Sequence, residues 1–115
     1  MIQVKRIYEQ PAKSDGRRVL VERLWPRGMS KERAKLDLWL KDSAPSPQLR
    51  KWFAHDTKKW DEFQKRYWAE LEQAPGVVDH LRQIVKQGAL TLVYAARDEQ
   101  HNSALVLKAF LERSP

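Results

Sequence analysis

The sequence contains no cysteine and only four glycines in 115 residues. The lack of cysteine excludes disulfides, thiolate zinc sites, iron–sulfur clusters and cysteine nucleophiles. No apolar run approaches the roughly 20 residues needed to cross a bilayer. The first residues, Met1-Ile2-Gln3-Val4-Lys5, do not read as a signal peptide. The expected compartment is therefore the cytoplasm, with no membrane partner. There is no glycine-rich phosphate loop of the nucleotide-hydrolase or dinucleotide type, and no nucleophile elbow. The three histidines, His55, His80 and His101, have neither Glu-x-x-His nor His-x-x-x-His spacing. No metal and no cofactor are expected.

Large apolar side chains are well supplied. Hydrophobic residues make up 42% of the chain and five of them are tryptophan, enough to offset the conformational entropy lost on folding. The length suits one domain, residues 1–115. The net charge of +7 is unevenly spread. Residues 1–35 hold ten Lys and Arg against four acids, so nearly all the excess lies in the first third. A local excess suggests a surface or pocket that attracts anions, either a small molecule or a nucleic acid. The structural alternative is that these side chains point apart into water.

Three short stretches read as strands: about 2–8, 18–24 and 89–96. The last, Ala89-Leu90-Thr91-Leu92-Val93-Tyr94-Ala95-Ala96, is almost continuously apolar, as a strand buried on both faces would be. Ser30 is a candidate cap for a short helical turn. Residues 34–41 read as helical, with Leu36, Trp39 and Leu40 apolar. Ser46-Pro47 opens a further helix. Asp56 is placed to cap the longest helix, whose Trp60, Phe63, Tyr67 and Leu71 form one face. Helical spacing makes that face core rather than a stacking platform. Another amphipathic helix covers 77–87, and Asp98 is a candidate cap for a last helix over about 99–112. Strands alternating with helices predict an α/β layered domain with a small, mainly parallel sheet. The link from Tyr8 to Arg17 is short for a parallel crossover, and a β-hairpin is the alternative there.

In open parallel sheets, ligands bind beyond the carboxyl ends of the strands. The second predicted strand ends in Arg23-Leu24-Trp25-Pro26-Arg27-Gly28. The buried one ends in Tyr94-Ala95-Ala96-Arg97-Asp98, followed by His101-Asn102. Arg23 and Arg27 would offer forked donors to an anion, and Trp25 an aromatic wall. Gly28 and Asn102 complete the candidate binding set. His55, His101 and Asp98 are the candidates for moving a proton. Each has a plainer reading: a surface ion pair for Arg23, core packing for Trp25, a cap for Asp98 or Asp56, and a loop hydrogen bond for His101.

The Arg-Leu-Trp-Pro-Arg-Gly string at 23–28 is specific. Together with Leu49-Arg50-Lys51-Trp52-Phe53-Ala54-His55-Asp56, Trp60 and 92–102, it resembles the YeaO-like family, a branch of domain-of-unknown-function family 488. The resemblance spans essentially the whole chain. It implies a Rossmann-like α/β domain, a shortened first crossover and a parallel sheet. It also implies that the two strand ends share one site. The matched positions are Arg23, Trp25, Pro26, Arg27, His55, Asp98, His101 and Asn102, and no role comes with them. The function expected on these grounds is binding or processing of an anionic, phosphate- or nucleotide-containing ligand. A nucleic-acid-binding module and a non-catalytic interaction protein are the alternatives.

Overall fold

The apolar run at 90–94 forms the strand on which the rest of the sheet is assembled. In the computed structural model, which describes residues 1–113, four strands run in the order β1-β4-β2-β3. They are β1 (Ile2–Arg6), β2 (Arg17–Leu20), β3 (Leu38–Trp39) and β4 (Leu90–Tyr94), and every pairing is parallel. Ile2 faces Leu90 across β1 and β4, and Val19 faces Leu92 across β2 and β4. All five β4 residues are buried. Leu90, Leu92 and Tyr94 enter the larger core, and Val93 enters a smaller one on the other face. The Thr91 hydroxyl donates to the Asp15 carbonyl at 2.7 Å, so the strand's one polar side chain is satisfied.

The helices are α1 (Lys31–Ala34), α2 (Pro47–Phe53), α3 (Trp60–Glu72), α4 (Pro75–Gln87) and α5 (Ser103–Glu112). Helices α2 to α5 supply the larger core through Leu49, Phe63, Tyr67, Leu81, Leu107 and Phe110. On the opposite face Ile7 after β1, Leu20 of β2 and Val93 of β4 cluster with Ala34 of α1 and Met29 just before it, with Trp25 and Trp39 packed against them. As the spacing predicts, Phe63, Tyr67 and Leu71 are core residues of α3.

Several sequence expectations need correction. The hairpin alternative fails, because β4 lies between β1 and β2 and all three run parallel. Residues 7–16 form a shortened crossover containing one 3-10 turn, Lys13–Asp15. It closes tightly at Gly16, where φ is 64° and an added Cβ would lie 2.3 Å from the Ala89 carbonyl oxygen. Residues 34–41 are not one helix. Lys35 takes a left-handed conformation at φ 46° that stops α1, and Leu38–Trp39 then pair with β2 as the edge strand β3. Over so few residues, apolar spacing does not separate a helix from a strand. The last helix starts at Ser103 rather than about Glu99, because the capping side chain is Asn102, which accepts from the Leu105 amide. Asp56 caps a 3-10 turn, Thr57–Lys59, that leads into α3. Strands β1 and β2 end at Arg6 and Leu20, short of residues 8 and 24. Among the described residues no helix is long and apolar enough to cross a membrane.

Candidate functional site

The chain leaves β2 and β4 side by side, so the loops after these strands meet beyond the sheet's carboxyl edge. Their junction is a direct contact: Glu22 Oε2 accepts from the Ala95 amide at 3.0 Å. The Glu22 backbone is held as well, since its carbonyl accepts from Trp39 Nε1 at 2.6 Å. Next to this junction opens a cleft of about 500 Å³. Its wall is Pro45, Pro47, Phe53, Phe63, Ala95 and Ala96. Its polar rim is Glu22, Arg50, Lys51, His55, His101, Asn102 and Ser103.

The loops after β2 and β4 therefore meet at one cleft, and its lining differs from the residues read at 23–28. His55, His101 and Asn102 line it. Arg23, Trp25, Arg27 and Gly28 do not. Arg23 turns to the Ala44 carbonyl at 3.5 Å and to Asp42 at 4.0 Å, and its Nε is buried without a partner. Trp25 is a packing residue. Its ring meets Trp39 edge-on at 5.3 Å and its Nε1 donates to the Met29 carbonyl at 2.7 Å. Arg27 is exposed, and its carbonyl accepts from the Tyr8 hydroxyl at 2.8 Å. Gly28 makes the turn with φ 70° and has open space around it.

His101 is oriented by Asp98. The carboxylate takes the Gln100 and His101 amides on Oδ1 at 2.9 and 3.0 Å, and the His101 ring Nδ1 on Oδ2 at 2.9 Å. The Gln100 amide leads the contacts that hold the Asp98 carboxyl below its ordinary value. A carboxylate accepts at Nδ1, so that nitrogen carries a proton and Nε2 is the ring's other functional atom. The ring also stands edge-on to Trp60 at 5.2 Å. Asp98 thus caps the turn before α5 and positions a histidine, combining a cap with one further bond.

His55 reaches the cleft through unusual backbone. Ala54 and His55 are consecutive left-handed residues, at φ 46° and 57°. Ala54 ends α2, its amide donating to the Arg50 carbonyl at 2.9 Å. Non-glycine residues held there store strain of order 1 kcal/mol each. Asp56 does not hold His55. Its Oδ1 accepts from the Lys58 amide at 3.0 Å.

Glu22 and Arg50 are the cleft-lining residues that motif spacing does not reveal. The signal for Glu22 is its position directly after a run of apolar strand residues, where a carboxylate is out of pattern. Burial pushes its carboxyl up; the Ala95 amide and the charges of Arg50 and His55 pull partly against that. At the other edge of the cleft α5 begins. Asn102 satisfies the Leu105 amide, while those of Ser103 and Ala104 have no partner among the described residues. No group of three or more His, Cys, Asp or Glu that could hold a metal ion occurs among the described residues.

Comparison with known proteins agrees with the sequence resemblance. Residues 1–114 match the family described as the inactive DUF488-N3 subclade. The chain is 44% identical to "Uncharacterized protein YeaO" of Escherichia coli over 110 residues, 96% of each chain. It is 38% identical to "Uncharacterized protein Rv3073c" of Mycobacterium tuberculosis over 110 residues, 96% of this chain and 92% of that one. No solved structure matches it. A match over nearly the full length, with 44% identity to a YeaO protein, puts the chain in the YeaO-like branch of domain-of-unknown-function family 488.

Proposed function

We propose that the cleft beyond β2 and β4 binds a small anionic ligand bearing a phosphate-like group, and that it does so as a binding site without turnover. The observation that carries this reading is the composition of the rim. Arg50, Lys51, His55 and His101 converge on one cleft at the carboxyl edge of a parallel sheet, where α5 also presents unpaired amides. The volume of about 500 Å³ lies within the range of small-molecule sites. Arg50 offers forked donors to the anion and Lys51 a point charge. His101, oriented by Asp98, adds a fixed hydrogen-bonding nitrogen. The family's description as inactive supports binding over catalysis.

Calorimetric titration with inorganic phosphate and phosphorylated metabolites at low salt tests this. Wild-type protein is expected to bind, and Arg50→Ala to bind about tenfold more weakly or worse, as expected for a lost charged hydrogen bond. Arg27→Ala, outside the cleft, is expected to bind like wild type. An unchanged affinity in Arg50→Ala, or a loss confined to Arg27→Ala, overturns the assignment.

A further inference from the structure

Glu22 is the group in the cleft that anion binding does not explain. It is half-buried against an apolar wall and makes no ion pair among the described residues. One oxygen, Oε2, takes the Ala95 amide. No group among the described residues donates to Oε1, and that atom is not sealed from solvent. Taking a carboxylate out of water without an ionic partner is costly. Holding one backbone amide does not require a charge, since a neutral acceptor would serve. Its position is nonetheless locked, by Trp39 on the carbonyl and Ala95 on the carboxylate. Beside it the cleft wall is apolar, backed by Phe53 and Phe63, which are almost wholly buried and stack on each other at 4.3 Å with their planes 24° apart.

We propose that Glu22 is a specificity residue whose free oxygen accepts a hydrogen bond from an N–H or O–H of the bound ligand, and that the ligand is a nucleoside phosphate. This rests on the anion-binding reading and extends it. The cleft has three chemically distinct parts: a basic rim, an apolar wall and a fixed lone acceptor. A nucleoside phosphate has the three matching parts, an anion, a flat ring and donor groups on the base or ribose. Inorganic phosphate would occupy the rim and leave both the wall and Glu22 unused.

Glu22→Gln separates ligand recognition from folding. The Ala95 amide still needs an acceptor, so the glutamine oxygen stays with it and the amide nitrogen turns to the cleft. A fixed acceptor becomes a fixed donor at nearly the same shape. The test titrates wild type, Glu22→Gln and Arg50→Ala with inorganic phosphate, ribose 5-phosphate and the four common nucleoside monophosphates. At least one nucleoside monophosphate is expected to bind wild type more tightly than phosphate does. Glu22→Gln is expected to weaken that ligand about tenfold or more and to leave inorganic phosphate within about twofold, because only the former loses a charged hydrogen bond. Thermal unfolding of Glu22→Gln close to that of wild type shows that the fold is retained. If phosphate binds but Glu22→Gln treats all ligands like wild type, the specificity role is overturned and the anion site stands. Nucleoside phosphates that bind no better than phosphate overturn the specificity role in the same way. If no ligand binds wild type, both readings fall.

Discussion

Arg18 shows how one residue's role depends on its neighbours. It counts toward the basic first third, yet its side chain is only 4% exposed. Its Nη1 donates to Asp15 at 2.7 Å and its Nη2 to the Ala34 carbonyl at 2.8 Å, which ties the first crossover to α1. Lys5 meets the same carboxylate at 3.1 Å. Burial pushes the Asp15 carboxyl up, but the Ala12 amide, Lys5 and Arg18 outweigh it and hold it below the ordinary carboxylate value. A carboxyl depressed in the folded state adds stability above its unfolded value, and that stability is lost as pH falls through the folded one. Urea unfolding is therefore expected to show stability falling steadily below about pH 4. Asp15→Asn leaves a buried guanidinium without its charge partner and is expected to cost about 3 kcal/mol at pH 7. It should also flatten part of the acid-induced loss. A wild-type pH profile matched by that of the variant would show that this carboxylate is not coupled to folding.

At the scale of elements, the start of α5 is the sharpest test. Asn102 is 3% exposed, caps the Leu105 amide at 3.1 Å and donates from Nδ2 to the Asp98 carbonyl at 3.0 Å. Asn102→Ala is expected to destabilise the protein by about 1–2 kcal/mol in chemical denaturation. Asp98→Ala, which removes a cap from an exposed turn, should cost less. The reverse order would place the helix start at Asp98, as the sequence pattern suggests. That pattern offers two cap-type residues four positions apart, Asp98 and Asn102. Local preference does not rank them, because both satisfy the same rule. Burial of Ala104, Val106 and Leu107 against the sheet sets the helix register, and the register selects Asn102. The same holds for β3. Leu38–Trp39 is a strand because β2 has a free edge beside it, not because of its own sequence.

For the whole molecule, the question is whether the positive charge forms one surface. Of the ten bases in residues 1–35, Lys5, Arg6, Arg18 and Arg23 have partners: Asp15 for the first and third, the Ala96 carbonyl for Arg6, and Ala44 and Asp42 for Arg23. Arg17 starts β2 and Arg27 lies beyond its far end, so they sit at opposite edges of the sheet. Arg33 and Lys35 share a separate cleft with Glu9 and Glu32. Such dispersal argues against one continuous nucleic-acid footprint. Gel shifts with DNA or RNA duplexes at low salt are expected to show no complex at micromolar protein. A complex that weakens steeply between about 50 and 200 mM salt would overturn this.

The α/β class, the central buried strand, the caps at Ser30 and Ser46 and the core face of α3 are local properties. They follow from apolar period, capping chemistry and β-branched content, which the chain carries residue by residue. The site is different. His55, His101 and Asn102 are legible as polar residues at element ends, but Glu22 and Arg50 are not, and Arg23 and Arg27 stand out only by their charge. Which of these faces the cleft depends on β4 inserting between β1 and β2. That insertion brings the loop after β2 against the loop after β4, bonding Glu22 to Ala95, while Trp25 is drawn into packing with Trp39. Residue type determined what chemistry was available to this protein. Long-range strand order, set by burial of Leu90, Leu92 and Val93 from both faces, decided which residues share the cleft.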